Sequence, residues 1–415
     1  MKGKYFDLED TLLEITDKYA EAVDLLASMG FENIRNEQQR KSFGGSVTLE
    51  AVLKMKKINE KTFVKQLVEA IENGILDKDN ETESSGALQD ADVRIEGVLP
   101  CPVRVPLLEA FQGWMKKNCQ GINKAVGYDL KAASMGVDWL KESMEGAESA
   151  DVLADIFISA GFDLFFDKEL IGKYKSENAF EDITGFEHYN KDFENGYIDL
   201  RDPDRHYSMI GVVPAVFLIN TEELGGRKIP ASWEDILSKE FENKVSLPIG
   251  DFDLFNAILL NINKRYGEEG VEKLGRNLLR SMHPSEMVKS HIKNAEKPIV
   301  TTMPYFFTKM TKNGGPMKAV WPSDGAIISP IFMLSKKNKA RDLKPFVDFF
   351  ASKEVGEILS HKGRFPSVNP DVDNMIASRQ KYMWLGWDYI NKNDIGKLIV
   401  KCEKLFNQAA GGVEI

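Results

Sequence analysis

ADIFISAGFD, residues 154–163, is a strand, a glycine turn and a helix start in ten residues. Asp155 to Ser159 reads as the strand, Ala160-Gly161-Phe162 as the exit loop, and Asp163 as the cap of a following helix. The same unit is written twice upstream. Val93 to Leu99 reads as a strand that ends in Pro100-Cys101-Pro102, and Pro106 suits the first turn of a helix burying Leu107, Leu108, Phe111 and Met115. Ala125 to Lys131 reads as a second strand, leading through Ala132 to Gly136 (AASMG) into a helix with Trp139, Leu140 and Met144. Strands alternating with helices predict an α/β domain whose mostly parallel sheet is covered on both faces.

In such a sheet the ligand crevice lies at the carboxyl ends of the strands, where each loop delivers a helix N-terminus that favours an anion. Three loops qualify: Cys101 to Arg104, Ala132 to Gly136, and Ser159 to Phe162. Arg104 offers a planar fork for a carboxylate or phosphate, and Ser134 and Ser159 offer hydroxyls. Gly136 and Gly161 allow close backbone approach, and Cys101 and Phe162 complete the expected lining. Each loop is also an ordinary strand-to-helix turn taken alone; their convergence is what suggests a site.

Downstream, VVPAVFLIN (Val212 to Asn220), PASWEDILSKEFENKVSLP (Pro230 to Pro248) and the block from Trp321 to Pro370, beginning WPSDGAIISPIFMLS, extend the pattern. From Val93 to the C-terminus the chain resembles the type 2 periplasmic-binding-protein fold, in the branch of ABC-transporter solute-binding proteins that includes iron(III), thiamine and polyamine binders. The resemblance implies two α/β lobes joined at a hinge, with lobe 1 at about 93–210 and 326–415 and lobe 2 at about 211–325. Val212 to Asn220 and Val320 to Gly325 are the expected crossovers. It implies capture of a small ligand, anionic or zwitterionic from the loop chemistry, by hinge closure. From lobe 2, Ser246, Gly250 and Asp251 would face the cleft, with Ser323 as a donor and Trp321 as an aromatic wall. Asp324 would instead suit an amine, which keeps cationic ligands open. Iron binders of this branch use adjacent tyrosines where this chain has Met303-Pro304-Tyr305-Phe306-Phe307, so Tyr305 stacks or donates and is the one metal candidate if the ligand is iron.

Residues 1–76 read as a small all-α domain, with Ala22, Val23, Leu26 and Met29 at helical spacing and a stop at Gly30. KSFGGS, Lys41 to Ser46, reads as a turn, and a last helix capped by Asn59 buries Phe63, Leu67 and Ile71 before Gly74. DLEDTLLEITDKYAEAVDLLASMGF followed by TLEAVLKMKKI resembles a bacterial helical domain of unknown function. Its relatives carry a paired-cysteine redox motif; this copy has no cysteine before Cys101, and a docking or oligomerisation role is expected. The acidic, aperiodic stretch 77–92 reads as a linker.

A net charge of -10 argues against nucleic-acid partners. No segment reaches the roughly 18 apolar residues of a membrane span. Met1 to Asp10 lacks a leader pattern, so the chain as it stands is expected in the cytoplasm, or outside it if a leader was removed. The three cysteines form no CxxC pair, the five histidines no HExxH, and no P-loop, GxSxG or GxGxxG is present, so no cofactor is expected. Two alternatives stay open beside the ABC permease partner: a cytoplasmic sensor reporting through residues 1–76, and an enzyme on the same fold with Cys101 as nucleophile.

Overall fold

The computed structural model describes residues 5–19, 22, 23, 26, 34, 37–55, 63, 64, 67, 68, 71, 91–118, 125–133, 137–162, 164–250, 252–282, 284–292, 296–312 and 314–411. Gly30, Asn59, Gly74, Ser134, Gly136, Asp163, Asp251 and the linker as far as residue 90 lie outside the described residues. The chain divides into two compact units, Met1–Gln89 and Asp90–Ile415.

In the first unit, helices span Leu12–Lys18, Glu37–Gly44 and Leu49–Met55. Thr11 and Glu14 form a reciprocal capping box that satisfies two backbone N–H groups at the start of the first helix. Leu12, Ile15, Leu26, Leu49, Val52, Leu53, Phe63, Leu67 and Ile71 are buried together as its core. The turn expected at Lys41 begins only at Gly45, because the second helix continues through Gly44. A side chain at Gly44 would stand 3.1 Å from the Leu13 backbone nitrogen, so glycine there serves helix contact as well as chain reversal.

The second unit is built on ten described strands: β1 (Val93–Leu99), β2 (Val126–Ala132), β3 (Ile156–Ala160), β4 (Tyr207–Asn220), β5 (Val245–Leu247), β6 (Leu278–Ser281), β7 (Val300–Pro304), β8 (Met317–Val320), β9 (Ala326–Ser335) and β10 (Tyr382–Met383). The sheet order is β2-β1-β3-β9-β4-β7-β5-β6, with β8 on β4 and β10 on β9. Strands β4 and β9 make it two-lobed. The first half of β4 lies along β9, which borders β3, whereas Ala215 to Ile219 pair with β7 and Phe217 to Asn220 with β8. Both strands are buried at every position, as expected of strands passing through the middle of a molecule.

Two expectations change here. The sheet is mixed rather than mostly parallel, because β4 and β9 run antiparallel to each other and to their neighbours β3, β7 and β8. The return crossover is Ala326–Ser335, not Val320 to Gly325; Val320 ends β8, and Gly325 at φ +111° makes the turn between them. A side chain on Gly325 would come within 2.7 Å of the Tyr382 backbone carbon, so the turn requires glycine twice over.

Helix Cys101–Asn118 follows β1 and buries Val103, Leu107, Leu108 and Phe111. Its Phe111 ring lies 4.9 Å from Phe350 and its Trp114 ring 5.5 Å from Phe346, which fixes helix Ala340–Phe350 to the lobe of β1, β2 and β3. In the other lobe, helix Phe252–Asn277 follows β5, bends at Gly267 and packs along the C-terminal helix Ile395–Ala409. A Cβ on Gly275 would meet the Phe406 carbonyl at 2.5 Å, which shows how close these helices lie.

Candidate functional site

A cavity of about 240 Å³ opens between the turn that leaves β7 and the segment that follows helix Lys353–Glu357. Tyr305 and Thr308 line it from the six-residue 3-10 turn after β7, Val320 and Trp321 from the end of β8, and Arg364 and Gln380 from the opposite side. Residue 364 belongs with the first lobe, since a Cβ on the preceding Gly363 would sit 2.7 Å from Val103 of helix Cys101–Asn118. The walls therefore come from both lobes.

Arg364 organises this space. Its guanidinium lies over the Tyr305 ring at 4.8 Å, and its Nη1 donates to Thr308 Oγ1 at 2.6 Å. Its backbone is left-handed at φ +51°, a conformation that costs a non-glycine residue energy and is concentrated at functional sites. Nearby, Lys309 Nζ donates to the carbonyls of His361 and Lys362 at 2.9 and 2.8 Å, tying the same two chain segments together. Burial first, and the Arg364 charge second, pull the Lys309 ammonium below its ordinary pKa. Trp321 stands edge-on to Tyr305 at 5.2 Å and to Tyr382 at 5.5 Å, with its Nε1 donating to the Lys381 carbonyl. The tryptophan is thus held on three sides. Among the described residues, no group of three His, Cys, Asp or Glu side chains is placed to hold a metal ion.

Of the residues expected from sequence, the structure brings Tyr305 and Trp321 together at this cavity. Arg104 is placed elsewhere: it is 1% exposed within a helix that starts at Cys101, and its Nε donates to the Leu130 carbonyl. Pro106 lies in the helix interior and not in its first turn, so the expected loop Cys101 to Arg104 is itself helical and Cys101 is half-buried at its start. Ser159 and Ser246 are fully buried in β3 and β5, inside the sheet. Phe162 is fully buried against Phe166 and Trp384, a core residue. Gly250 and Ser323 are exposed and do not line this cavity, and the Ser323 N–H donates to the Ala231 carbonyl.

Asp324 is committed to structure. It accepts the Trp233 N–H at 3.1 and 3.2 Å, capping helix Trp233–Ile236, and takes the Tyr266 hydroxyl at 3.1 Å. Burial, then the Asp324 charge, push the Tyr266 phenol up to about 12. Gly161 does meet the other lobe. At φ +92°, it leaves so little room that a Cβ would lie 2.6 Å from Asp253 Oδ1, in the first turn of helix Phe252–Asn277. The loops after β3 and β5 therefore face each other.

Comparison with known proteins agrees with this geometry. The family of bacterial extracellular solute-binding proteins matches residues 151–393, and a domain of unknown function matches residues 6–64. No curated protein matches the chain. Solved structures do: the ferric binding protein from Campylobacter jejuni aligns with a TM-score of 0.53 at 18% identity, covering 77% of this chain and 99% of that one. A Trichodesmium protein solved in complex with iron and citrate aligns at 0.52 with 14% identity, covering 78% and 99%. The periplasmic binding protein P5PA aligns at 0.52 with 16% identity, covering 76% and 99%. At these identities the likeness shows the fold, which is the two-lobed type 2 periplasmic-binding-protein fold.

Proposed function

The chain belongs to the bacterial extracellular solute-binding proteins, and from that premise we propose that it captures a small anionic or zwitterionic solute in the cavity between Tyr305 and Arg364 and delivers it to an ABC permease. The observation that carries the reading is the Arg364 guanidinium, stacked 4.8 Å from Tyr305 on the cavity wall, in a backbone conformation it adopts at a cost. With Nη1 given to Thr308, the Nε and Nη2 edge of the guanidinium suits side-on bidentate binding of a carboxylate or phosphate. Thr308 and Gln380 add neutral polar groups, and Trp321 adds an aromatic wall.

The structural neighbours include ferric binding proteins, yet the local charge here opposes a bare metal cation. Arg364 covers the only tyrosine of the Tyr305-Phe306-Phe307 run, and a trivalent ion beside that phenolate would face its positive charge. The contact of Gly161 with Asp253 supports a closed arrangement, in which solute binding draws the lobes together.

Native mass spectrometry of freshly purified protein, followed by thermal-shift titration with small anions, tests this. Retained or stabilising anions whose effect disappears in Arg364→Ala are the expected outcome. Stabilisation by iron(III) or organic cations alone, unchanged in that variant, would reject it. Delivery to a permease further predicts that fractionated cells release the protein with the extracytoplasmic material.

A further inference from the structure

A second cavity, of about 500 Å³, adjoins the first and shares Val320, Trp321 and Gln380 with it. Its own contributions are Lys318 from β8, Arg379 and the half-exposed Ile229. Gln380 closes a short turn, accepting the Ala377 N–H on its side-chain oxygen at 2.8 Å while its own N–H donates back to the Ala377 carbonyl. That turn holds Arg379 at the rim.

The charge pattern is one-sided. Arg364, Lys318 and Arg379 line the two cavities, and among the described residues no aspartate or glutamate does. None of the three cations has an ion-pair partner among the described residues. In a chain with 64 acidic and 54 basic residues, a stretch of surface lined by cations with no acidic residue among its described lining departs from the overall balance. Three cations left without partners around adjoining cavities form an electropositive trough with an aromatic divider, Trp321.

We propose that the solute is an elongated dianion, such as a linear dicarboxylate, with one anionic group on Arg364 and the other between Lys318 and Arg379, its spacer lying against Trp321. This rests on the smaller cavity being the solute site, and it adds a second anchoring point and a ligand class to that reading. Arg364 supplies the anchor common to any anion; Lys318 and Arg379 discriminate two charges from one.

Isothermal titration of the full chain with succinate, glutarate, adipate and their monocarboxylate counterparts separates the two claims. The wild-type protein is expected to bind at least one dicarboxylate about tenfold or more tighter than the monocarboxylate of equal length. The double variant Lys318→Ala/Arg379→Ala is expected to erase that preference, dicarboxylates losing about tenfold or more in affinity and monocarboxylates much less. Arg364→Ala is expected to weaken both. Equal affinity for mono- and dicarboxylates, no binding by any of the series, or a preference that survives the double variant would overturn the dianion proposal. Unchanged binding in Arg364→Ala would instead strike the reading of the smaller cavity. Circular-dichroism melting of each variant checks that the fold is retained; both distal positions are exposed, and no loss is expected.

Discussion

Arg364 occupies a position where glycine would be more comfortable, directly after Gly363, and among the described residues no carboxylate pairs with it. Its side chain does hold Thr308 and the Tyr305 ring, so the proposed solute role has to be separated from a structural one. On the proposed reading, replacing Arg364 by alanine is expected to weaken solute binding by about 2 kcal/mol, against a loss of about 1 kcal/mol in stability from the Thr308 hydrogen bond. Arg364→Lys keeps the charge but loses the planar stack on Tyr305, and is expected to recover only part of the affinity. Tyr305→Phe keeps the platform and is expected to bind nearly as the parent, whereas Tyr305→Ala removes it; calorimetry on the four variants checks the order. Tyr305 and Trp321 could be named from sequence because they stand in recognisable blocks after strands. Arg364 could not, since it reaches the cavity from 59 positions beyond Tyr305, across a lobe boundary that no local pattern records. Arg104 was the plausible substitute from local pattern, and it failed because a helix begins at Cys101 and draws it into the core.

At the level of elements, two acidic residues hold neighbouring pieces in place. Asp324 caps helix Trp233–Ile236 and accepts from Tyr266, so Asp324→Ala is expected to cost about 1 kcal/mol in chemical denaturation and to leave solute affinity within twofold. In Asp324→Asn the Tyr266 phenol, raised to about 12 mainly by burial, loses its charged neighbour and is expected to ionise at lower pH, followed by tyrosinate absorbance. Asp155 is fully buried where β3 begins, pairing with Lys336 at 3.1 Å and Lys339 at 3.0 Å at the end of β9 and accepting the Arg94 N–H. Lys336 is also buried, and its ammonium donates to the Asp151 and Leu153 carbonyls. Asp155→Ala would strand that ammonium, and a loss of about 3 kcal/mol or more is expected from urea unfolding. β3 and the second half of β4 were legible from their apolar runs, whereas β1 and β2 carry Arg94, Glu96, Asp129 and Lys131 and were legible only from the alternation of strand and helix signals. Strand directions were not legible: antiparallel β4 and β9 carry the same apolar signature as parallel neighbours, and only long-range pairing distinguishes them.

At the scale of the whole solute-binding unit, the proposed closure turns on the approach of Gly161 to Asp253, where the loop after β3 meets the helix after β5. Lobes that close on a solute must approach somewhere, and a glycine without a Cβ permits the closest approach. Gly161→Ala would place its methyl 2.6 Å from Asp253 Oδ1 and 3.0 Å from Asp253 Cα, so the observed arrangement becomes costly; if it is the closed one, the variant shifts the lobes toward an open one. The apparent dissociation constant then rises as the closed fraction falls, and a weakening of about tenfold or more is expected. Small-angle scattering at saturating solute is expected to give a larger radius of gyration for the variant than for the parent. Local strain is the competing cause, since alanine at φ +92° is unfavourable whatever lies opposite. Adding Asp253→Ala separates them: it removes Oδ1 and Cγ from the collision, leaves the backbone strain untouched, and is expected to restore part of the affinity and the compaction. Should the double variant bind as poorly as Gly161→Ala alone and match its scattering, the contact is structural and the lobes do not close through it.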